Sequence, residues 1–223
     1  MKIGIFDSGL GGHFTLIKCE ALLPQHEFVG YFDTINAPYG DRPQSDILKF
    51  TETGINTLFQ QHCDLVLIAC NTACTQALRR LQEKHVHHKI LGCLIPAAET
   101  AADTHALNIG LIGTQRTIDS KKYDREIFKI NQKAKLYSLA TPKLVPFIEG
   151  DLALSDEALN YLCQSVETLI ENHHIETLIL GCTHYSVYKD WLNLKYPHLT
   201  VIDSAEAQAI KLGNYLKRHP ELE

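Results

Sequence analysis

The fold follows from a pattern that the chain carries twice, Leu65-Val-Leu-Ile-Ala-Cys70 before Asn71-Thr72 and Leu178-Ile-Leu-Gly-Cys182 before Thr183-His184. Each time a short apolar run ends in a small residue, a cysteine and a polar pair. The pattern predicts a buried strand that delivers a thiol to the start of a helix, where backbone N–H groups stabilise negative charge. Two such thiols, one from each half of the chain, predict an acid and base pair.

Apolar runs alternate with longer stretches of helical periodicity along the rest of the chain, which is typical of a parallel α/β fold. The predicted strands cover residues 3–6, 27–32, 65–69, 90–95, 109–113, 135–139, 177–181 and 199–202. The predicted helices cover residues 44–61, 72–84, 117–131, 155–172, 184–195 and 205–218.

The two halves also match at their first strands, because Lys2-Ile-Gly-Ile-Phe-Asp-Ser8 resembles Asn108-Ile-Gly-Leu-Ile-Gly-Thr114. Together with the cysteine strands, this match indicates a duplicated domain. We predict two pseudo-symmetric, doubly wound parallel-sheet domains of the α/β class, residues 1–96 plus 206–223 and residues 97–205. Ligands of such sheets bind outside the carboxyl ends of the strands, so we expect the active site in the cleft between the domains.

Composition argues against several classes of protein. The 223 residues are 45% hydrophobic and 21% charged, as in an ordinary globular protein. The net charge of −5 argues against a nucleic-acid-binding surface, and no run approaches the roughly 20 apolar residues of a membrane span. Because no signal peptide is recognisable, we expect a cytoplasmic protein whose seven cysteines are reduced.

Polar clusters follow four of the predicted strands. They are Asp7-Ser8, Cys70-Asn71-Thr72, Thr114 with Thr117, and Cys182-Thr183-His184. Helix starts bind carboxylates well, so a small anionic substrate is the expected ligand. Taken singly, the hydroxyls are more often plain N-caps, but their corresponding places in a duplicated fold favour a binding role.

The two thiols need neighbours that adjust their ionisation, because a free cysteine with a pKa of about 8.5 is mostly protonated near neutral pH. Asp7 is the candidate proton acceptor for Cys70, since a nearby carboxylate either raises the pKa of a thiol or takes its proton. His184, two residues after Cys182, is the candidate proton relay for the second thiol.

Neither a metal nor a nucleotide is expected. Cys74 forms no CxxC pair, and the cluster of His85, His87 and His88 lacks a zinc-site pattern with a pair of cysteines. The loop Gly9-Leu-Gly-Gly12 does not have the GxGxxG spacing of a dinucleotide site and is better explained as a tight turn beside a small ligand.

Eight short motifs run in order along nearly the whole chain. They are Ile5-Phe-Asp-Ser-Gly-Leu-Gly-Gly12, Asp33-Thr34, Pro38-Tyr-Gly40, Ala69-Cys-Asn-Thr-Ala73, Ile112-Gly-Thr-Gln-Arg-Thr-Ile118, Val145-Pro-Phe-Ile-Glu149, Leu180-Gly-Cys-Thr-His-Tyr185 and Ile202-Asp-Ser204. In this set and order the sequence resembles the glutamate racemases of the cofactor-independent aspartate/glutamate racemase superfamily.

The resemblance implies inversion of a free amino acid at Cα without pyridoxal phosphate, metal or nucleotide. One thiolate removes the α-proton from one face while the opposite thiol donates a proton to the other face. It implies that Cys70, assisted by Asp7, acts on the D-enantiomer, and that Cys182, assisted by His184, acts on the L-enantiomer. The residues implied to bind the substrate are Ser8, Pro38, Tyr39, Gly40, Asn71, Thr72, Thr114, Thr117, Glu149 and Thr183.

The resemblance thus predicts interconversion of L- and D-glutamate, supplying D-glutamate for peptidoglycan. Alternatives stay open: a racemase of aspartate or another small amino acid, a racemase-derived binding or regulatory protein, and a thiol hydrolase built on Cys182 and His184. The expected partner is the small-molecule substrate, and a homodimer is left open.

Overall fold

Two parallel sheets form the framework of the computed structural model, which describes residues 1–222. The strands are β1 (Lys2–Asp7), β2 (Glu27–Phe32), β3 (Leu65–Ile68), β4 (Lys89–Gly92), β5 (Asn108–Gly113), β6 (Lys135–Ala140), β7 (Thr177–Gly181) and β8 (Thr200–Asp203). The first sheet has the order β2-β1-β3-β4 and the second has the order β6-β5-β7-β8. All neighbouring strands are parallel.

The two sheets repeat one topology, since β5 pairs with β6 and β7 just as β1 pairs with β2 and β3. Every residue of β3 and β7, the strands that precede the two cysteines, is buried. Continuous apolar strands of this kind belong to parallel sheets that are covered on both faces. The prediction of two doubly wound α/β sheets with one pattern is confirmed.

Helices connect the strands. Their bounds are α1 (Gly12–Leu22), α2 (Gln44–Gln60), α3 (Asn71–Gln76), α4 (Leu78–Lys84), α5 (Leu94–Asp103), α6 (Gln115–Asp119), α7 (Lys122–Ile130), α8 (Leu144–Glu149), α9 (Asp156–His173), α10 (Lys189–Lys195) and α11 (Ser204–Arg218). Short 3-10 segments cover Tyr39–Asp41, Thr183–Tyr188 and Pro220–Leu222.

Several predicted element bounds were wrong for local reasons. The strand predicted at 90–95 ends at Gly92, because α5 begins at Leu94 and accommodates Pro96 in its first turn. The helix predicted at 117–131 is divided by Lys121, whose backbone is left-handed with φ of 52°. The helix predicted at 184–195 starts as the 3-10 segment Thr183–Tyr188. Three helices, α1, α5 and α8, were not predicted from the sequence.

Each half has an apolar core of its own, and a further cluster joins the halves. The cluster around Leu144, Leu162 and Leu180 lies in the second half. The largest cluster crosses from Phe6 in β1 to Ile109 in β5 and Ile179 in β7, and it includes residues of α5 and α7, which pack on each other.

The C-terminal helix packs on the first sheet, because Leu212 and Leu216 of α11 join the cluster that contains Ile3 and Leu67. This packing agrees with assigning the C-terminal segment to the first domain, although the predicted domain boundaries stay a prediction. Within residues 1–222, no helix is both long enough and apolar enough to span a membrane.

Candidate active site

The carboxyl ends of both sheets meet at one narrow cavity, here called the cleft. The first half contributes Ser8, Ala37, Pro38, Tyr39, Gly40, Cys70, Asn71 and Thr72, and the second half contributes Thr114, Val145, Glu149, Cys182, Thr183 and His184. The set includes all the residues predicted from the sequence except Asp7 and Thr117. Asp7 contacts Thr183 and Thr117 contacts Thr114, so both lie directly behind the lining.

Cys70 caps the start of α3. Its Sγ accepts a hydrogen bond from the backbone N–H of Ala73 at 3.4 Å and lies 3.1 Å from Ser8 Oγ. Burial, reinforced by the negative charge of Asp7, raises the pKa of this thiol above its ordinary value, and the bonds from Ser8 and Ala73 oppose the shift only in part. At rest Cys70 therefore holds its proton, and it needs a base to become a nucleophile or proton acceptor.

Asp7 has the properties of that base. It is fully buried at the end of β1, where its carboxylate accepts hydrogen bonds from Gly9 N–H and Thr183 Oγ1, both at 3.0 Å. Burial raises the pKa of Asp7 to about 6, although the positive charge of His184 and these hydrogen bonds favour the ionised form. A carboxyl group with this pKa is ionised at neutral pH and still basic enough to accept a proton.

Cys182 has a different partner. Its Sγ lies 3.8 Å from His184 Nδ1, and His184 Nε2 lies 3.1 Å from Glu149 Oε1. Burial lowers the pKa of His184, but the hydrogen bonds to Cys182 and Glu149 outweigh burial and raise it to about 10. The same bond from His184 lowers the pKa of Glu149. An imidazolium therefore stands between the Glu149 carboxylate and the Cys182 sulfur at neutral pH, where it can donate a hydrogen bond to that sulfur.

Three threonine hydroxyls form a bridge between the halves, and two of them, those of Thr72 and Thr114, belong to residues that line the cleft. Thr72 Oγ1 lies 2.9 Å from Thr114 Oγ1 and 3.5 Å from Thr117 Oγ1. Thr114 also caps α6, since its Oγ1 accepts the N–H of Thr117 at 3.3 Å. Hydroxyl groups donate as well as accept, so this cluster can turn its O–H groups toward the carboxylate of an amino acid.

Two residues predicted to bind substrate have their side-chain polar groups engaged within the protein. Tyr39 OH donates to Asp33 Oδ2 at 2.7 Å. Asn71 Oδ1 accepts from Tyr123 OH at 2.6 Å, and its Nδ2 donates to Ser204 Oγ at 3.0 Å. Tyr39 therefore offers the cleft its ring and backbone, and Asn71 keeps only one side-chain N–H for a ligand.

The glycine loop after β1 lets the second half approach closely. A Cβ at Gly11 would stand 2.4 Å from Thr183 Oγ1 and 2.8 Å from His184 Nδ1. A Cβ at Gly9 would meet Glu149 Oε1 at 3.2 Å. Glycine is needed at Gly11 because any side chain would displace the segment that holds His184. In addition to the predicted approach of a ligand, the loop thus allows the approach of catalytic side chains.

Within the described residues 1–222, no group of three or more histidine, cysteine, aspartate or glutamate side chains is arranged as a metal site would be. Cys74, the sequence-level candidate for a metal ligand, instead donates from Sγ to Ile68 O at 3.2 Å and lies 3.5 Å from Cys93 Sγ. Both residues are buried, Cys74 within α3 and Cys93 directly before α5.

Comparison with known proteins identifies a family for the chain. Residues 18–212 match the model of the Asp/Glu/hydantoin racemase family. The chain belongs to this racemase family. It is 33% identical over 219 residues to glutamate racemase 3 of Caldanaerobacter subterraneus subsp. tengcongensis, covering 97% of this chain and 79% of the relative.

Solved racemase structures share the fold. Glutamate racemase isoform RacE1 from Bacillus anthracis superposes with a TM-score of 0.91 at 31% identity, covering 97% of this chain and 81% of that one. Glutamate racemase from Francisella tularensis, solved in complex with D-glutamate, superposes with a TM-score of 0.89 at 26% identity, covering 99% and 82%. The predicted family and the predicted enzyme class, an amino-acid racemase, are confirmed.

Sequence analysis missed some residues around the racemase cleft. Val145 lines it and belongs to a quoted motif, but an aliphatic side chain carries no chemical signal. Ala37 is similar. Tyr123 donates a hydrogen bond to Asn71, and Asp33 accepts one from Tyr39. These contacts depend on the folded chain and could not be predicted from the sequence.

Proposed function

We propose that the chain interconverts L- and D-glutamate by a two-base mechanism in which Cys70 and Cys182 exchange protons with opposite faces of Cα. The observation that carries the proposal is that two thiols line one cleft and that each has a different ionisable neighbour. Cys70 has a buried carboxylate, Asp7, beside it, whereas Cys182 has an imidazolium, His184, at 3.8 Å. A thiol hydrolase would need only one of these thiols.

In the D-to-L direction, Asp7 accepts the thiol proton of Cys70, and the Cys70 thiolate removes the α-proton of D-glutamate. Cys182 donates its proton to the other face of Cα, and His184 stabilises the thiolate that remains. The reverse reaction exchanges these roles. One D-to-L conversion leaves an extra proton on Asp7 and removes one from the pair of Cys182 and His184. A proton must therefore pass from Asp7 to that pair, through solvent water, before the next conversion in the same direction.

The choice of glutamate rests on the relatives, several of which are named glutamate racemases and cover nearly the whole chain. The hydroxyls of Ser8, Thr72, Thr114 and Thr183 supply donors on both sides of the cleft, as a substrate with two carboxylates and one ammonium group requires. We further propose that the product D-glutamate supplies peptidoglycan synthesis in the cytoplasm. A homodimer stays a prediction.

The test uses the purified full chain and L-glutamate without added cofactor. Circular dichroism should follow the loss of optical activity, and in D₂O the α-hydrogen should exchange with solvent deuterium. A parallel panel of other amino acids, including aspartate, tests the substrate. Racemisation of aspartate but not glutamate would replace the substrate, and binding of glutamate without α-exchange would favour a regulatory protein.

Cysteine variants test the mechanism. Cys70→Ala and Cys182→Ala should each abolish racemisation, because each removes one of the two proton-transfer groups. Cys163→Ala is the matched control, since Cys163 is a free cysteine on α9 outside the cleft. Full activity in either of the first two variants would refute the two-base mechanism.

A further inference from the structure

The dipeptide Asp203-Ser204 stands at the end of β8 and outside the lining of the cleft, yet its two side chains bind the two cysteine segments. Ser204 reaches the segment after Cys70, and Asp203 reaches the segment after Cys182. Both residues are buried, with 2% or less of their surface exposed. One rigid strand end therefore contacts both sides of the reaction centre.

The contact on the Cys70 side runs through Asn71. Ser204 Oγ accepts a hydrogen bond from Asn71 Nδ2 at 3.0 Å, and Asn71 Oδ1 accepts one from Tyr123 OH at 2.6 Å. Asn71 is the first residue of α3, the helix that Cys70 caps. Because the Asn71 amide is held from both ends, the backbone that carries Cys70 Sγ has little freedom to move.

The contact on the Cys182 side runs through Ser186. Asp203 Oδ1 accepts hydrogen bonds from Ser186 Oγ at 2.7 Å and from Ala205 N–H at 3.0 Å, and Lys18 Nζ lies 3.5 Å from Oδ2. Ser186 belongs to the 3-10 segment Thr183–Tyr188, which also carries His184. Asp203 thus anchors the segment that directs the imidazolium at Cys182.

We propose that Asp203 and Ser204 are positioning residues that fix the two sulfurs on opposite faces of the substrate, each through its own serine or asparagine relay. Proton transfer requires reacting atoms held close to the reactive geometry, and a displacement of about 1 Å can lower the rate about hundredfold. The inference rests on the proposed two-base function, because it assigns one relay to each base. Residues that only capped helices would not change the two proton transfers in opposite ways, as we predict for the two relays.

Rates alone cannot tell the two relays apart. The enantiomers are equal in free energy, so the two directions keep equal values of kcat/KM in every variant. The primary isotope effects of α-deuterated substrates do separate them, because Cys70 cleaves the bond of D-glutamate and Cys182 cleaves that of L-glutamate. Slowing one transfer raises the isotope effect measured from its own side and lowers the other.

The variants remove single contacts on each side. Ser204→Ala and Tyr123→Phe weaken the Cys70 relay, and Ser186→Ala and Asp203→Ala weaken the Cys182 relay. The second variant of each pair decides the outcome if the first does not fold. Matched controls are Ser165→Ala and Tyr196→Phe, which remove hydroxyls bonded to Tyr161 O and Glu167 Oε1 on α9.

We expect kcat to fall about ten- to hundredfold in the relay variants with KM little changed. The isotope effect should rise with D-glutamate and fall with L-glutamate on the Cys70 side, and do the reverse on the Cys182 side. Unchanged isotope effects, or the same shift in both pairs, would overturn the inference. A wild-type chain that neither racemises glutamate nor exchanges its α-proton would instead overturn the proposed function.

Discussion

Replacing Asp7 with asparagine should make the folded protein more stable near neutral pH while it removes the charge that the chemistry at Cys70 requires. Asp7 has no exposed surface, and an ionised carboxylate without water around it is unfavourable. Asparagine has nearly the same shape and no charge. Its Oδ1 can keep the hydrogen bond from Gly9 N–H, and the Thr183 hydroxyl can accept from its Nδ2.

The magnitude follows from the pKa. Burial raises the pKa of Asp7 from 3.8 to about 6, and each pKa unit corresponds to about 1.36 kcal/mol. Because the pKa is higher in the folded state, folding favours the protonated form, and this contribution is fully present below pH 3.8. It is lost as the pH rises from about 4 to about 6. Above that range the ionised Asp7 lowers the free energy of unfolding by about 3 kcal/mol.

The assay is urea denaturation of the wild-type chain and Asp7→Asn at several pH values from 4 to 8, with racemisation measured on the same samples. The two proteins should be equally stable near pH 4, and the variant should be about 3 kcal/mol more stable at pH 7.5 and nearly inactive. Asp33→Asn is the control, because it removes a carboxylate that binds Tyr39 and should reduce stability. A stability difference that does not change with pH would refute the reasoning.

Two further predictions concern the same site. The pH profile of kcat/KM should rise near pH 6 as Asp7 ionises and fall near pH 10 as His184 loses its proton. In Glu149→Gln the fall should move to lower pH, since the bond to Glu149 raises the pKa of His184. A fall at the same pH in this variant would contradict the assignment. Gly11→Ala should lower kcat/KM by roughly hundredfold in the circular dichroism assay, because the new Cβ would displace Thr183 and His184. The control Gly213→Ala, whose Cβ would meet only Leu23, should keep wild-type activity. Equal losses of activity in the two variants would argue against a local effect at Gly11.

Sequence reasoning could predict the framework and the reacting groups because one physical rule connects them. Parallel strands bring their carboxyl ends to the same edge, so the polar residues after each apolar run had to meet. Such a strand end lies at Asp7 itself and one to three residues before Cys70, Cys182 and His184. The repeat then indicated that the two edges face one another.

The remaining features depend on contacts that local sequence does not encode. Tyr123 holds Asn71 across the junction of the two halves, and nothing in its own helix distinguishes it from a core tyrosine. The helix α8 has Pro146 in its first turns, which reads as a helix breaker, yet packing of Leu144 and Val145 stabilises it. Lys121 adopts a left-handed backbone without being glycine, so no turn signal marked the break before α7.

The hydrogen bond from Thr183 to Asp7 has a bearing on the ancestry of the chain. In the internal alignment, Asp7 corresponds to Gly113 and Thr183 corresponds to Asn71, so the symmetry-related bond has no counterpart. A protein assembled from two copies of either half alone would lack this bond. Two copies of the first half would place an aspartate beside both thiols, and two copies of the second half would place a histidine beside both. The two halves are therefore no longer interchangeable, because each supplies one member of a buried hydrogen bond that the other half cannot supply.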